Sequence, residues 1–167
     1  MPITVRSTDR DDWQRLRRLR LEALADTPMA FGQTTENALA MSEGDWRAYA
    51  GRGQDPNRTF LVAVDDASGE FVGMMGGALD QGGGAPFLVA VYVSPAWRGK
   101  KKGVTDFLLA SVEDWARRFD TRLQLDVHED NERARRYYEA RGFQLTGQTM
   151  PYPLDRTKLE LNMLKRL

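Results

Sequence analysis

The sequence predicts an α/β layer fold, with helices packed on a central mixed sheet, and three features predict it. Two strand-like segments, Thr59 to Val64 (TFLVAV) and Phe71 to Leu79 (FVGMMGGAL), flank the turn Asp65-Asp66-Ala67-Ser68-Gly69 as a hairpin. The nearly continuous apolar run Phe87 to Val93 (FLVAVYV) reads as a strand buried on both faces, and so as a central one. Behind it an amphipathic helix leads to another apolar strand, Leu123 to Val127, which makes a β–α–β crossover between parallel strands.

The remaining elements follow in chain order. Ile3 to Arg6 is a short strand, and Thr8-x-x-Asp11 caps a helix whose apolar positions Trp13, Leu16, Leu19, Ala23 and Leu24 recur at helical spacing as far as Asp26-Thr27-Pro28. Ser42-x-x-Asp45 starts a second helix, with Trp46 and Tyr49 on one face; the segment MAFGQTTENALA before it is loop or broken helix. QGGGA, Gln81 to Ala85, is a flexible turn. From Gly103 onward Val104, Phe107, Leu108, Val112, Trp115, Ala116 and Phe119 form one apolar face. Asn131 to Arg141 is the next helix, stopped by Gly142 in the left-handed conformation. Phe143 to Thr146 and Lys158 to Leu164 close the chain as strands joined by a proline-containing loop, MPYPLD.

A chain of 167 residues is the size of one domain, spanning 1–167. Twenty-four basic residues balance twenty-four acidic ones, so no global field draws in nucleic acid or an acidic membrane, and any anion site must be local. Without cysteine there is no disulfide framework, no thiolate nucleophile and no cysteine-based zinc site. The opening residues MPITVRSTDRDDW lack the pattern of a signal peptide, and no run of eighteen apolar residues occurs; the expectation is a soluble cytoplasmic protein.

One local anion site stands out. In VYVSPAWRGKKKGVTDFLL a glycine-bracketed lysine triplet precedes a helix, whose N-terminus already carries about half a positive charge. Two readings stand. The lysines decorate a solvated loop, or Arg98, Gly99, Lys100, Lys101, Lys102 and Gly103 line a cradle for a diphosphate that the free helical amides also hold. Neither G-x-x-x-x-G-K-[ST] nor G-x-G-x-x-G occurs, so the phosphate carrier is neither of those nucleotide classes. In the second informative stretch, LDVHEDNERARRYYEARGF, Asn131 stands where a helix cap belongs and Tyr138 lies on one helical face with it; each has a purely structural explanation as well as a functional one.

Together the two stretches resemble the GNAT superfamily of N-acetyltransferases, which use acetyl-coenzyme A. The pattern N-x-x-A-x-x-[LFY]-Y-x-x-x-G-F is met by Asn131, Ala134, Tyr137, Tyr138, Gly142 and Phe143. V-x-P-x-x-R-G-x-G-x-[GA] is met by Val93, Pro95, Arg98, Gly99 and Gly103, with Lys101 where the first loop glycine belongs. Two registers remain: no insertion, with Gly103 as the last glycine, or two extra residues that make Gly103, Val104 and Thr105 the G-x-[GA] element. The second keeps the phase of the following helix.

The resemblance implies a mixed, mostly antiparallel sheet of about six to seven strands flanked by about four helices. It also implies an acyltransferase that moves an acetyl group from acetyl-CoA to a primary amine of a small molecule or peptide, by direct attack in a ternary complex and without a metal. A coenzyme A-binding regulatory module without transfer is the alternative. The strand at Val91 and Val93 would bind the pantetheine arm and polarise the thioester carbonyl, with Asn131 bonded to that arm. Tyr138 would protonate the leaving thiolate, and Tyr137 would serve as packing. Phe87 replaces a glutamate base found in some members; His128 or a water relay remains for that role. Phe31, Glu36, Trp46 and the MPYPLD loop are expected to set acceptor specificity, with a homodimer through the terminal strands possible.

Overall fold

The structure, a computed structural model, describes residues 2–167. Its strands are β1 (Ile3–Ser7), β2 (Arg58–Asp65), β3 (Phe71–Ala78), β4 (Phe87–Val93), β5 (Arg122–His128), β6 (Gln144–Tyr152) and β7 (Asp155–Arg166). The helices are α1 (Trp13–Asp26), α2 (Thr35–Ala40), α3 (Glu43–Ala50), α4 (Val104–Ala116) and α5 (Glu132–Glu139). All seven strands form one sheet in the order β1-β2-β3-β4-β5-β7-β6. Every neighbouring pair is antiparallel except β4 and β5. The expected mixed, mostly antiparallel sheet is therefore present, and the apolar run Phe87–Val93 is its middle strand. The segment between the first two predicted helices supplies a short extra helix, α2, which makes five helices.

Alternation along the strands divides the apolar side chains between two cores, one on each face of the sheet. Leu123, Leu125 and Val127 of β5 join Leu108, Val112 and Trp115 of α4, with Tyr138 and Phe143, on one face. On the other, Leu16, Leu19 and Leu24 of α1 pack with Trp46 of α3, Phe60, Met74 and Tyr92. Among the described residues no helix is long and apolar enough to cross a membrane.

Four local expectations need correction. The first helix is led in by a 3-10 turn, Arg10–Asp12, and Asp9 rather than Thr8 caps that turn: Asp9 accepts from the Asp11 amide at 2.8 Å while Asp12 accepts from the Asp9 amide at 3.0 Å. Thr8 is buried, and its hydroxyl donates to the Ala50 carbonyl at 2.6 Å. On α4, Phe107 is 60% exposed and Phe119, beyond the helix end, is 45% exposed. At about 100° per residue Phe107 falls about 60° from Val104, on the side away from Leu108 and Val112.

The terminal loop is much shorter than predicted, because Met150, Pro151 and Tyr152 belong to β6 and the chain turns at Pro153 and Leu154. Proline is tolerated there because β6 is the sheet edge, where its missing N–H removes no ladder bond on the open side. Finally, β4 is not buried on both faces: Val89 is 39% exposed. Its neighbour β5 leaves it, as described below.

The helix that begins the candidate anion site is seated by a close contact between Trp115 and β3. A Cβ added to Gly77 would lie 2.5 Å from Trp115 Cζ3 and 2.8 Å from its Cε3, closer than any side chain tolerates. Gly77→Ala is therefore expected to cost about 2 kcal/mol by overpacking. The check is a chemical denaturation midpoint, lowered with an unchanged slope; an unshifted midpoint would show that the indole ring has room to move.

Candidate functional site

The parallel pair at the centre of the sheet is barely a pair. β4 and β5 are in register only at Phe87 and Gln124, supported by the Gln124 amide donating to the Pro86 carbonyl at 2.9 Å. Beyond that point the strands diverge and leave main-chain groups on both inner edges unpaired. β4 also carries a bulge: its register with β3 passes from Met74↔Tyr92 to Gly76↔Val89, so that Ala90 and Val91 share no partner on β3. Ala90 lies in the left-handed region at φ 55°, uncommon for any residue but glycine. The bulge frees these main-chain groups from the β3 ladder. A cavity of about 630 Å³ occupies the slot, with walls from both faces of the sheet.

On the α4 and α5 side the wall is the turn 98–103. Gly99 (φ 105°) and Gly103 (φ 65°) are both left-handed. The amides of Lys102 and Gly103 close the turn onto the Gly99 carbonyl at 3.1 and 3.2 Å, and the first amide bonded within α4 is that of Phe107, to Gly103. The amides of Val104, Thr105 and Asp106 therefore remain free, and Gly103 has no side chain to cap them. Around Gly99 there is open space.

Of the lysines only Lys100 reaches the cavity wall. Lys102 folds back to the Ala96 carbonyl and lies over the Trp97 ring at 5.3 Å, while Lys101 and Val104 are not in the wall. Val104 is in the core. Arg98 lines the slot but is already engaged: its Nε donates to the Val93 carbonyl at 2.7 Å, and its guanidinium pairs with Asp26 at the end of α1. That hydrogen bond holds the Asp26 carboxyl below the usual carboxylate range.

The facing wall comes from α5. Asn131 caps it, its Oδ1 accepting from the Ala134 amide at 3.2 Å, and Asn131 also borders the cavity. Tyr137 is more than packing: its hydroxyl donates to Asp106 Oδ1 at 2.7 Å, and Arg141 forks onto the same carboxylate, which ties the end of α5 to the start of α4. The Arg141 hydrogen bond, helped by Tyr137, keeps the Asp106 carboxyl below its ordinary range, and the pair removes the negative charge from the helix start. Tyr138 is 7% exposed, with its ring edge-on to Phe143 at 5.6 Å. Its hydroxyl has no hydrogen-bond partner among the described residues and borders the cavity; burial pushes the phenol well up, so it holds its proton at neutral pH.

On the opposite face β5 and β7 form the floor. The register sets Asp126 opposite Asn162 and His128 opposite Glu160, so all four side chains share a face. Asn162 Nδ2 donates to Asp126 Oδ1 and Gln124 Oε1, both at 3.0 Å, and Thr146 donates to Asn162 Oδ1 at 2.8 Å. Glu160 has no hydrogen-bonded partner on its carboxylate; burial, then the neighbouring Asp126 charge, raises its pKa above the ordinary value. His128 is buried, its ring edge-on to Tyr152 at 4.6 Å, and its Nδ1 accepts from the Asp130 amide at 3.1 Å. That bond engages the Nδ1 lone pair, which leaves Nε2 as the nitrogen that carries a proton.

The cavity thus collects Val91, Val93, Arg98, Gly99, Lys100, Gly103, Thr105, Asn131, Tyr138, Phe87 and His128 from the sequence-based set. Of the expected specificity residues Phe31 lines it; Glu36 is exposed on α2 and Trp46 is 1% exposed in the core, both away from it. Glu160, Arg20, Tyr49 and Arg52 also line the cavity, and none was singled out from the sequence as a site residue. The alternation in Lys158-Leu159-Glu160-Leu161-Asn162 is the available signal for Glu160, since it sets the polar residues Lys158, Glu160 and Asn162 on one face and leucines on the other.

A family model described as the acetyltransferase (GNAT) family matches residues 14–143. No curated protein sequence matches. Among solved structures, the PaiA N-acetyltransferase of Thermoplasma acidophilum, in complex with coenzyme A, is 19% identical with a TM-score of 0.76, covering 100% of each chain. YncA of Salmonella typhimurium, a putative acetyltransferase with acetyl-CoA, is 22% identical with a TM-score of 0.77, covering 100% of this chain and 95% of its own. A phosphinothricin acetyltransferase from Sinorhizobium meliloti, in complex with acetyl-CoA, is 18% identical with a TM-score of 0.77, covering 100% of this chain and 89% of its own. At these identities the likeness is one of fold.

Proposed function

The chain belongs to the GNAT acetyltransferase family, and from that premise we propose that it moves an acetyl group from acetyl-CoA to a primary amine by direct attack, with both substrates bound together. The observation that carries this reading is the slot: two adjacent parallel strands joined at a single register position, with polar groups of different chemistry converging from the two faces.

The turn 98–103 and the start of α4 fit a diphosphate. Three consecutive free amides, the helix dipole, the unpaired Lys100 and the open space at Gly99 all favour a bulky anion there, and Asp106, the one carboxylate at that helix start, is neutralised by Arg141. The register with two extra residues is the one these features support, since α4 begins at Val104 and buries Leu108 and Leu109. Acetyl-CoA, when bound, supplies an acyl thioester.

The chain's own groups then have distinct tasks. The bulge at Ala90 and Val91 offers a main-chain N–H, free of the β3 ladder, to the carbonyl oxygen as it gains charge. Tyr138, uncharged and without a protein partner, donates its proton to the departing sulfur. Glu160 takes the proton that the attacking ammonium must lose; its raised pKa brings it nearer neutrality, whereas the His128 Nδ1 lone pair is engaged by the Asp130 amide. No covalent enzyme intermediate is needed, consistent with the absence of cysteine.

The test is calorimetric titration with acetyl-CoA followed by thiol-release assays over amino acids, polyamines, aminoglycosides and peptide N-termini. Binding followed by release with one class of amine is the expected result. Binding without release on any amine would overturn the reading.

A further inference from the structure

The acceptor side of the cavity holds two arginines and a tyrosine that the acetyl-transfer scheme leaves unused. Arg20 of α1 and Arg52, in the turn after α3, both stand over the ring of Tyr49, at 5.7 and 4.8 Å from its centroid. All three residues border the cavity. Arg20 is positioned by the Phe31 ring at 4.4 Å and by Gln33, which accepts from its Nε at 3.0 Å. Neither arginine forms an ion pair among the described residues, whereas Arg6, Arg15, Arg47, Arg98 and Arg141 each have a carboxylate partner. The Tyr49 hydroxyl is buried and has no hydrogen-bond partner.

Two like charges sharing one ring repel each other. Arg52 is exposed, yet partial desolvation together with the Arg58 and Arg20 charges pushes its guanidinium below the ordinary pKa, against the opposing pull of Tyr49 and Asp55. An oxyanion placed between the two guanidinium groups relieves their repulsion, by charge-assisted bonds that Arg forms best with planar or tetrahedral oxyanions.

The opposite end of the same face has the complementary defect. Glu160 lies beside Asp126, with no cation paired to either carboxylate among the described residues. The two ends are connected by packing: Arg20 lies on Phe31, whose carbonyl accepts the Tyr152 hydroxyl at 2.6 Å, and Tyr152 packs on His128, the register partner of Glu160.

We propose that the acceptor is an amino acid or amino-acid-like compound, whose amine is received at the Glu160 and Asp126 end and whose carboxylate, phosphonate or phosphinate is held by Arg20 and Arg52. The proposal rests on the amine acetyltransferase reading and narrows it to one class of amine.

The test compares matched acceptors, an amino acid, its amide and a diamine of the same length, under saturating acetyl-CoA. The acid is expected to exceed the amide in kcat/KM by at least about tenfold. Arg20→Gln and Arg52→Gln should collapse that ratio toward one through KM for the acid. Arg52→Glu should invert the order, so that the diamine overtakes the acid; a ratio measured on active protein is not mimicked by misfolding. Free carboxylate and phosphonate acceptors of equal length distinguish planar from tetrahedral anions. If amines are acetylated but the acid and amide react equally, or the diamine is preferred by the wild type, this proposal fails while the acetyltransferase reading stands. If no amine releases thiol, that reading fails first.

Discussion

Replacing Tyr138 by phenylalanine is expected to slow acetyl transfer about a hundredfold while leaving acetyl-CoA affinity within about twofold, because general acid catalysis contributes roughly 10²–10⁴ in rate. The substitution deletes one atom. The ring contacts with Tyr137 and Phe143 remain, and the lost hydroxyl had no protein partner, so the fold should not weaken. Burial holds the phenol in its protonated form across the neutral range, which makes it a donor ready for a thiolate. A structural role would leave kcat unchanged. A catalytic one should shrink with acetyl donors whose thiol leaves more easily, because protonation then matters less. Equal slowing with every donor would place the role of Tyr138 elsewhere.

Glu160→Gln should produce the other large loss, about a hundredfold in kcat/KM near neutral pH, and it should change the shape of the pH profile. Burial and the charge of Asp126 both disfavour a second carboxylate, so Glu160 keeps its proton to a higher pH than an ordinary glutamate. The wild-type rate should therefore rise with pH as this group ionises, through an apparent pKa above the usual carboxylate range. In the glutamine variant that limb should vanish, and the rate should recover only at alkaline pH, where the free amine is abundant. A variant that keeps the wild-type limb would exclude Glu160 as the base. The same sign applies to stability: a carboxyl whose folded pKa is raised stabilises the fold below its unfolded pKa and loses that contribution as pH rises through the folded value.

Much of this architecture was legible from local chemistry. Ser42 and Asp45 form the capping box their spacing announced, Asn131 caps α5, and Gly142 takes the left-handed conformation at φ 94°. The apolar run at Phe87–Val93 is indeed the middle strand. What could not be read depended on partners distant in the chain. Arg98 turns toward Asp26, seventy-two residues away, instead of outward, and nothing in the turn sequence encodes that choice. Glu160 becomes a site residue because β7 pairs with β5 in one register; a slip of one residue would set it on the other face. Tyr49 reads as sharing a helix face with Trp46, and it does; that two guanidinium groups stand over its ring is a fact of packing. The lysine triplet was legible as a cluster but not as individuals, since Lys102 is drawn back to Ala96 and Trp97 while Lys100 alone borders the cavity.

The divergence of β4 from β5 has one more effect. A gap cut through the middle of a sheet opens on both sides, so in the proposed reaction the nucleotide-bearing thioester and the amine would arrive by separate routes and meet only at the reacting atoms. On that scheme the spent thiol and the new amide would depart in opposite directions, and neither product would have to wait for the other to clear the passage.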